Sequence, residues 1–259
     1  MPMNNRLLRP TTGLDPDAAQ YLAAVEAADG EPLEPAVRTA INAFFRNLKA
    51  TPGLFDAIKA SCILCGARTI PGALVPLKGS APTNNNFASP DYDRQTGLKG
   101  DGSTTYLDSN RANDADPQDD KHIAVYVSNV GTDSGAIRGL IYAGSGGISG
   151  SSGIGYRNSD GVSGFQVNCA TNTFSSGLTA GFVGASRSSS TEFIYRQNNS
   201  NATALQSSEP PLATNVLLYS RIGNITSARL AFYSIGESLD LAALDASVSA
   251  LITAIGDAI

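Results

Sequence analysis

Seven short segments between positions 122 and 236 constrain this chain more than anything else in it. They read HIAVYVSNV (122–130), AIRGLIYAG (136–144), GVSGFQVN (161–168), AGFVGASR (180–187), TEFIYRQN (191–198), NVLLYSRI (215–222) and ARLAFYSIG (228–236). Each is rich in β-branched and aromatic side chains and is bounded by Gly, Ser, Asn or Asp, the pattern of a strand between turns. Their recurrence predicts an antiparallel β-sandwich. Sparse charge, 16% of residues beside 42% hydrophobic, fits such a turn-rich β protein, and 259 residues suffice for one large domain.

Outside that region the apolar spacing is helical. Asp15 is placed to cap a first helix with Pro16 at its first position and Gly30 at its end, which puts Tyr21, Leu22 and Val25 on one face. A second helix starts at Pro35 and aligns Val37, Ile41, Phe44 and Leu48. A third is predicted from Thr51 as cap and Pro52, with Leu54, Ile58, Cys62 and Cys65 as its apolar face and Gly66 as its stop. A closing helix from about Leu239 aligns Leu241, Leu244, Val248, Leu251 and Ile255. Between them, residues 67–97 carry Pro71, Pro76, Pro82, Pro90 and the run TNNNF, and read as an irregular strap. The expected organisation is an N-terminal helical segment over 1–66 suited to docking or oligomerisation, a strap over 67–97, and a β-sandwich with a C-terminal helix over 98–259.

Several functional classes are set aside by the residues. The net charge is −5 and no run of Lys or Arg exists, so nucleic acid is not an expected partner. The opening MPMNNRLLRP lacks the apolar core of a signal peptide, and no apolar run approaches the length of a membrane span. The expectation is synthesis in a cytoplasm without a signal peptide and without membrane insertion. The glycine-rich stretch AGSGGISGSSGIG (143–155) is not a phosphate loop: Ser149 stands where a dinucleotide fingerprint needs its third Gly, and strand and turn follow rather than a helix. It reads as a flexible connection between strands.

The chemistry-bearing residues are few. Cys62 and Cys65 form a Cys-x-x-Cys pair on an apolar face, and zinc would need Cys169 and the lone His122 to join them; buried structural cysteines are the expected reading. With one histidine, nucleophilic triads have nothing to build on. No two of Glu192, Glu209 and Glu237 share a strand face, as a glycosidase pair would require, so no catalytic residue is assigned. The acidic run 108–122 supplies Asp114, Asp116, Asp119 and Asp120 as candidate calcium ligands, although its spacing is not that of an EF-hand and a solvated acidic loop before a strand is the preferred reading. No other cofactor is expected.

Two stretches carry a resemblance. GLKGDGSTTYLDSN (97–110) and NITSARLAFYSIGESLDLAALDASVSALI (224–252) resemble the opening and closing strands of laminin-G-like, concanavalin A-like jelly rolls. The block before them, from EAADGEPLEPAVRTAINAFF onward, is similar to uncharacterised virion proteins of tailed bacteriophages. The resemblance implies a mainly β fold, an antiparallel jelly-roll β-sandwich with the helical additions above. It also implies a non-enzymatic structural protein on a virion surface (tail fibre, spike or capsid decoration), made in the host cytoplasm. Its implied partners are other virion proteins, copies of itself (a homotrimer) and a host surface glycan. It assigns no ligand residue. The alternatives are a free lectin module and a glycan-degrading enzyme.

Overall fold

The computed structural model describes residues 13–133 and 135–259, so the MPMNNRLLRP segment lies outside the described residues. Helix α1 (Pro16–Asp29) begins where Asp15 accepts the N–H groups of Asp17 and Ala18, and it stops at Gly30, whose φ of 77° only glycine adopts without strain. Its buried face is Ala18, Tyr21, Leu22 and Val25. Helix α2 (Pro35–Ala50) buries Val37, Ile41, Phe44, Phe45 and Leu48.

The third helix departs from expectation. Only α3 (Leu54–Ala57) is helical, and the chain then runs straight into strand β1 (Ile58–Ile63). Ala60 and Cys62 face the sandwich core, whereas Ile58 and Ile63 face the helices. A strand buried on both faces has no alternating signature, and its apolar residues fell by chance at helical spacing. Pairing with a distant strand decides the conformation.

Residues 67–97 are more ordered than an irregular strap. They hold α4 (Ile70–Ala73), β2 (Thr83–Asn85) and β3 (Tyr92–Asp93). Asp29 accepts the N–H groups of Arg68 and Thr69 at 2.7 and 2.9 Å, and Arg94 forks onto Glu34 at 3.1 and 2.7 Å. These bonds fasten the segment to α1 and α2.

The remaining strands follow in order: β4 (Gly97–Lys99), β5 (Tyr106–Ala112), β6 (Lys121–Asn129), β7 (Arg138–Ala143), β8 (Ser151–Arg157) and β9 (Val162–Cys169). Then come β10 (Thr173–Ser176), β11 (Gly181–Arg187), β12 (Phe193–Gln197), β13 (Ser200–Ala204), β14 (Asn215–Leu218), the hairpin β15 (Ser220–Arg221) and β16 (Asn224–Ile225), and β17 (Arg229–Gly236). Helix α5 (Leu241–Ala258) closes the chain behind an Asp240 cap.

Among the described residues the strands form two large antiparallel sheets. The first runs β13-β12-β11-β6-β17-β4-β3, with β1 sharing the β4 edge of β17; the second runs β10-β9-β8-β7-β14-β5-β2. Their facing sides enclose Ile123, Val125, Val183, Tyr233, Ile141, Ile154, Phe165 and Leu218. The chain is therefore an antiparallel jelly-roll sandwich with N-terminal helices and a C-terminal helix, as expected.

The helices cover the part of the first sheet's outer face where Ala124, Phe182, Ala231 and Phe232 meet Phe44, Leu244 and Val248. Phe44 sits edge-on to Phe232 with ring centroids 5.9 Å apart. By length and composition alone α5 is long and apolar enough to cross a membrane, although Asp245, Ser247, Ser249 and Thr253 break it into short apolar runs. Its stripe of Leu244, Val248, Leu251 and Ile255 is buried against α2 and the sheet, and Arg196 fixes it through Asp245 at 2.7 Å.

Candidate functional site

The helices close much of the first sheet's outer face, so the outer face of the second sheet is the first place to look for a ligand. Its floor is made flat by glycine. Gly153 and Gly155 of β8 and Gly164 of β9 point outward, and side chains of neighbouring strands fill the space their missing side chains leave. A Cβ on Gly153 would meet the Tyr142 ring at 2.2 Å, one on Gly155 would meet Ile137 at 2.5 Å, and one on Gly164 would touch the Phe174 ring at 3.3 Å.

Tyr142 is buried and anchors a polar group. Gln166 Nε2 donates to the carbonyls of Cys169 and Ala170 at 3.1 and 2.7 Å, which turns its Oε1 toward the Tyr142 hydroxyl. Asn172 Oδ1 lies 3.0 Å from the same hydroxyl, leaving its Nδ2 directed away. Burial pushes the Tyr142 phenol up to about 12, so it stays protonated and can donate. Over its ring, 5.3 Å from the centroid, stands the Arg221 guanidinium, whose Nε is buried without a hydrogen-bond partner.

Two donors converge here. Arg221 Nη2 and Asn172 Nδ2 each lie 2.4 Å from the point where a Cβ on Gly146 would sit. Beside them Phe174 is 57% exposed, an unusual state for a phenylalanine on a strand, and Ile148 and Ile222 are exposed as well. Ile222 is held at φ 43°, a strained conformation for a β-branched residue, at the tip of the turn that presents Arg221. A flat aromatic ring next to convergent N–H donors suits a ligand with an apolar face and hydroxyl or carboxylate oxygens at its edge.

Gly146 belongs to the glycine-rich stretch. As expected the stretch connects strands, but it is bonded in place rather than free. Gly147 donates to Ala170 O at 2.9 Å, Gly150 O accepts from Leu212 N at 3.0 Å and from Asn113 Nδ2 at 3.0 Å, and Glu209 receives the Gly150 N–H at 3.1 Å. β8 begins inside it, at Ser151.

The residues singled out in the sequence have other places. Asp116 is buried and accepts from Arg111 and from Lys121 Nζ at 3.1 Å. Burial alone would raise its pKa, but the Arg111 hydrogen bond and the two cations outweigh that and hold it below the ordinary carboxylate range. Asp120 accepts the Ser238 N–H at 2.6 Å, Asp119 has a buried oxygen without a hydrogen-bond partner, and Asp114 is exposed. Among the described residues no three His, Cys, Asp or Glu side chains gather as a metal ion would need. The acidic run thus divides into separate structural roles and is not brought together as a calcium set.

His122 and the three cysteines are all buried, and the cysteines are free. Burial pushes Cys62 and Cys65 up to about 12, which leaves them protonated and unreactive. Asp101, in the GDGS stretch, accepts the N–H groups of Ser103, Thr104 and Thr105 at 2.8, 2.7 and 3.0 Å, so this stretch is a hydrogen-bonded turn.

No family model matches the sequence, and no curated protein matches it. Solved structures do. The binding domain of botulinum neurotoxin serotype D overlays with a TM-score of 0.50 at 12% identity, covering 76% of this chain and 52% of that chain. This chain therefore spans about half the length of that structure. The CBM40 module of a Ruminococcus gnavus IT-sialidase, bound to α2,3 sialyllactose, gives 0.37 at 17% identity over 49% of this chain and 83% of its own. Tailspike protein 2 of the Escherichia coli bacteriophage CAB120 gives 0.39 at 11% identity over 62% of this chain and 25% of its own. The likeness to the neurotoxin domain is one of fold alone. The other two overlays are too loose to carry an argument about this chain.

Proposed function

We propose that this chain is a non-enzymatic, carbohydrate-binding jelly-roll module, borne on the surface of a tailed-phage virion, that receives a sugar at the Asn172–Arg221 donor pair beside Phe174. The observation that carries the binding role is the convergence of those donors on Gly146 next to an exposed aromatic ring. A sugar ring stacks its C–H face on the aromatic and gives its hydroxyl oxygens to the donors. The virion setting is supported by the likeness of the N-terminal half of the sequence to tailed-phage proteins. It is checked by finding the protein in purified particles, and its absence from them would remove that part of the reading.

The binding role is tested on a glycan array followed by calorimetry with the strongest ligand. Phe174→Ala is expected to weaken binding about tenfold, ~1.4 kcal/mol, without loss of fold because the ring is exposed. Gly146→Ala is the sharper variant. Gly146 has no left-handed φ to strain, and its new methyl group would occupy the space between the donors. Binding should fall below detection while the melting temperature stays within about 3 °C. Unchanged affinity in both variants, or a parent protein that binds no glycan, overturns this reading.

A further inference from the structure

Lys99, Arg229 and Asn129 stand abreast on three neighbouring strands. Arg229 of β17 is directly opposite Lys99 of β4 on one side and Asn129 of β6 on the other. Leu98 and Leu230 point into the sandwich core, so Lys99 and Arg229 point out of the opposite face. Together with Gly131, Thr132 and Ser227 they line a cleft of about 350 Å³, within the range of small-molecule sites.

Like charges directly opposite on antiparallel strands repel, and among the described residues no ion pair offsets that repulsion. Among the described residues no carboxylate comes within 4.0 Å of Lys99 or Arg229. The acids of the adjoining segments are engaged elsewhere. Asp133 accepts from Thr226 Oγ1 and Ser227 N, both at 2.7 Å, and Asp101 is held by its own turn. Asp93 lies within electrostatic reach of Arg229 but is bonded to Gln95 and Thr96, and Asp91 takes the Ala88 N–H at 2.9 Å.

Arg229 is also fixed in place. Its Nη1 donates to the carbonyls of Gly97 at 2.6 Å and Asp91 at 3.5 Å, while its Nε and Nη2 and Lys99 Nζ make no hydrogen bond among the described residues. Asn129 Oδ1 accepts the Gly131 N–H at 2.8 Å, which leaves its Nδ2 as a donor, and the Thr132 side chain stands at the rim. The lining is cationic, hydroxylic and amidic, with no aromatic or aliphatic side chain.

We infer that this cleft is a second ligand site, which takes the carboxylate of an acidic saccharide between Arg229 and Lys99 and its hydroxyl groups on Asn129 and Thr132. A fork of free guanidinium N–H groups matches a planar carboxylate, and an ammonium beside it adds charge without directional demand. The polar rim suits a polyhydroxylated anion. The site does not depend on the Asn172–Arg221 reading, because the two use no common residue.

The test is an NMR titration of the full chain with glucuronate, glucose and inorganic sulfate, in the parent, Lys99→Ala and Gly146→Ala. Lys99 is exposed and makes no hydrogen bond or ion pair among the described residues, so its removal is expected to leave the fold intact. Glucuronate is expected to shift the resonances of residues 97–99, 129–132 and 227–229, with glucose and sulfate each at least about fivefold weaker. Lys99→Ala should weaken glucuronate about tenfold, Gly146→Ala should leave it unchanged, and added salt should weaken it. In the absence of ligand, Lys99→Ala should raise the melting temperature by about 1–2 °C as the repulsion is relieved. Sulfate binding as tightly as glucuronate would mean an anion site without saccharide preference. Glucose binding as tightly would mean charge plays no part, and a drop in melting temperature for Lys99→Ala would mean the lysine has a structural role. Any of these overturns the inference.

Discussion

Arg187→Met is expected to lower folding stability by about 3–4 kcal/mol. Arg187 is fully buried at the end of β11, yet among the described residues no carboxylate pairs with it within 4.0 Å, and Asp119 acts on it only at longer range. Its guanidinium is held by carbonyls instead: Nε donates to Val167 at 2.8 Å, Nη1 to Ser189 at 2.8 Å and Glu192 at 3.1 Å, and Nη2 to Gln206 at 2.9 Å. Those carbonyls belong to the second sheet and to the segments on either side of β12 and β13, so one side chain ties both sheets to a hairpin. Phe193 lies beneath the guanidinium at 5.4 Å. Methionine fills much of the volume and removes the burden of burying a charge, but it leaves four carbonyls without their donor, at about 1 kcal/mol or more each. Lysine keeps the charge yet cannot span the four acceptors, so Arg187→Lys should lose about half as much. Urea denaturation measures both, and a methionine variant within 1 kcal/mol of the parent would mean that water takes over the carbonyls.

How much of this could be read from the sequence depends on how far each element's neighbours are from it along the chain. α1, α2 and the closing helix were legible because one side of each is buried and the caps are local: Asp15 and Asp240 bond to the first turns they precede. The seven segments between 122 and 236 all contain strands. β1 was not legible, because Ile58, Cys62 and Leu54 repeat at helical spacing while their true partners lie in β17. Nor was the start of β8, since Gly153 and Gly155 look like loop until Tyr142 and Ile137 are seen to fill their places.

The candidate site was hidden for the same reason. Asn172 and Arg221 lie on different strand ends and meet only across Gly146, so no spacing rule joins them. The one available signal was Phe174, a lone aromatic in the polar run TNTFSSG. The four aspartates cluster in sequence but part in the fold: Asp116 serves a buried ion pair, Asp120 takes one hydrogen bond, Asp114 is exposed and Asp119 keeps a buried oxygen without a partner. A chain so poor in charge places its ionisable groups where the fold needs them, and the exceptions, Lys99 opposite Arg229, stand out against that background.

Lowering the pH from 7.5 to 5.0 is expected to cost the parent protein about 2 kcal/mol through His122 alone. The ring is fully buried, with Nδ1 2.6 Å from the Glu237 carbonyl and Nε2 2.7 Å from Ser234 Oγ. A carbonyl only accepts, so Nδ1 carries the proton, and Nε2 accepts from the serine hydroxyl. The neutral ring is fully satisfied. Protonating Nε2 would make the serine hydroxyl turn and accept, and would leave a positive charge in a fully buried site. Burial lowers the folded value from 6.5 to about 4; the Glu237 carbonyl and Asp116 oppose that shift, and Lys121 and Arg111 add to it. The sign follows from the two states. Below pH 6.5 the unfolded chain takes up a proton that the native protein refuses until about pH 4, so stability is full above 6.5 and is lost progressively between 6.5 and 4. Asp116 and Glu34, whose folded values are depressed, lose their contributions only below their ordinary range near 4, so the window from 6.5 to about 4.5 belongs to the histidine. In His122→Gln the amide can still donate to Glu237. That variant should be less stable at pH 7.5 but flat across the window, as read by urea denaturation at half-unit steps. A parent that is flat there, or a glutamine variant with the parent's slope, would assign the acid sensitivity to another group.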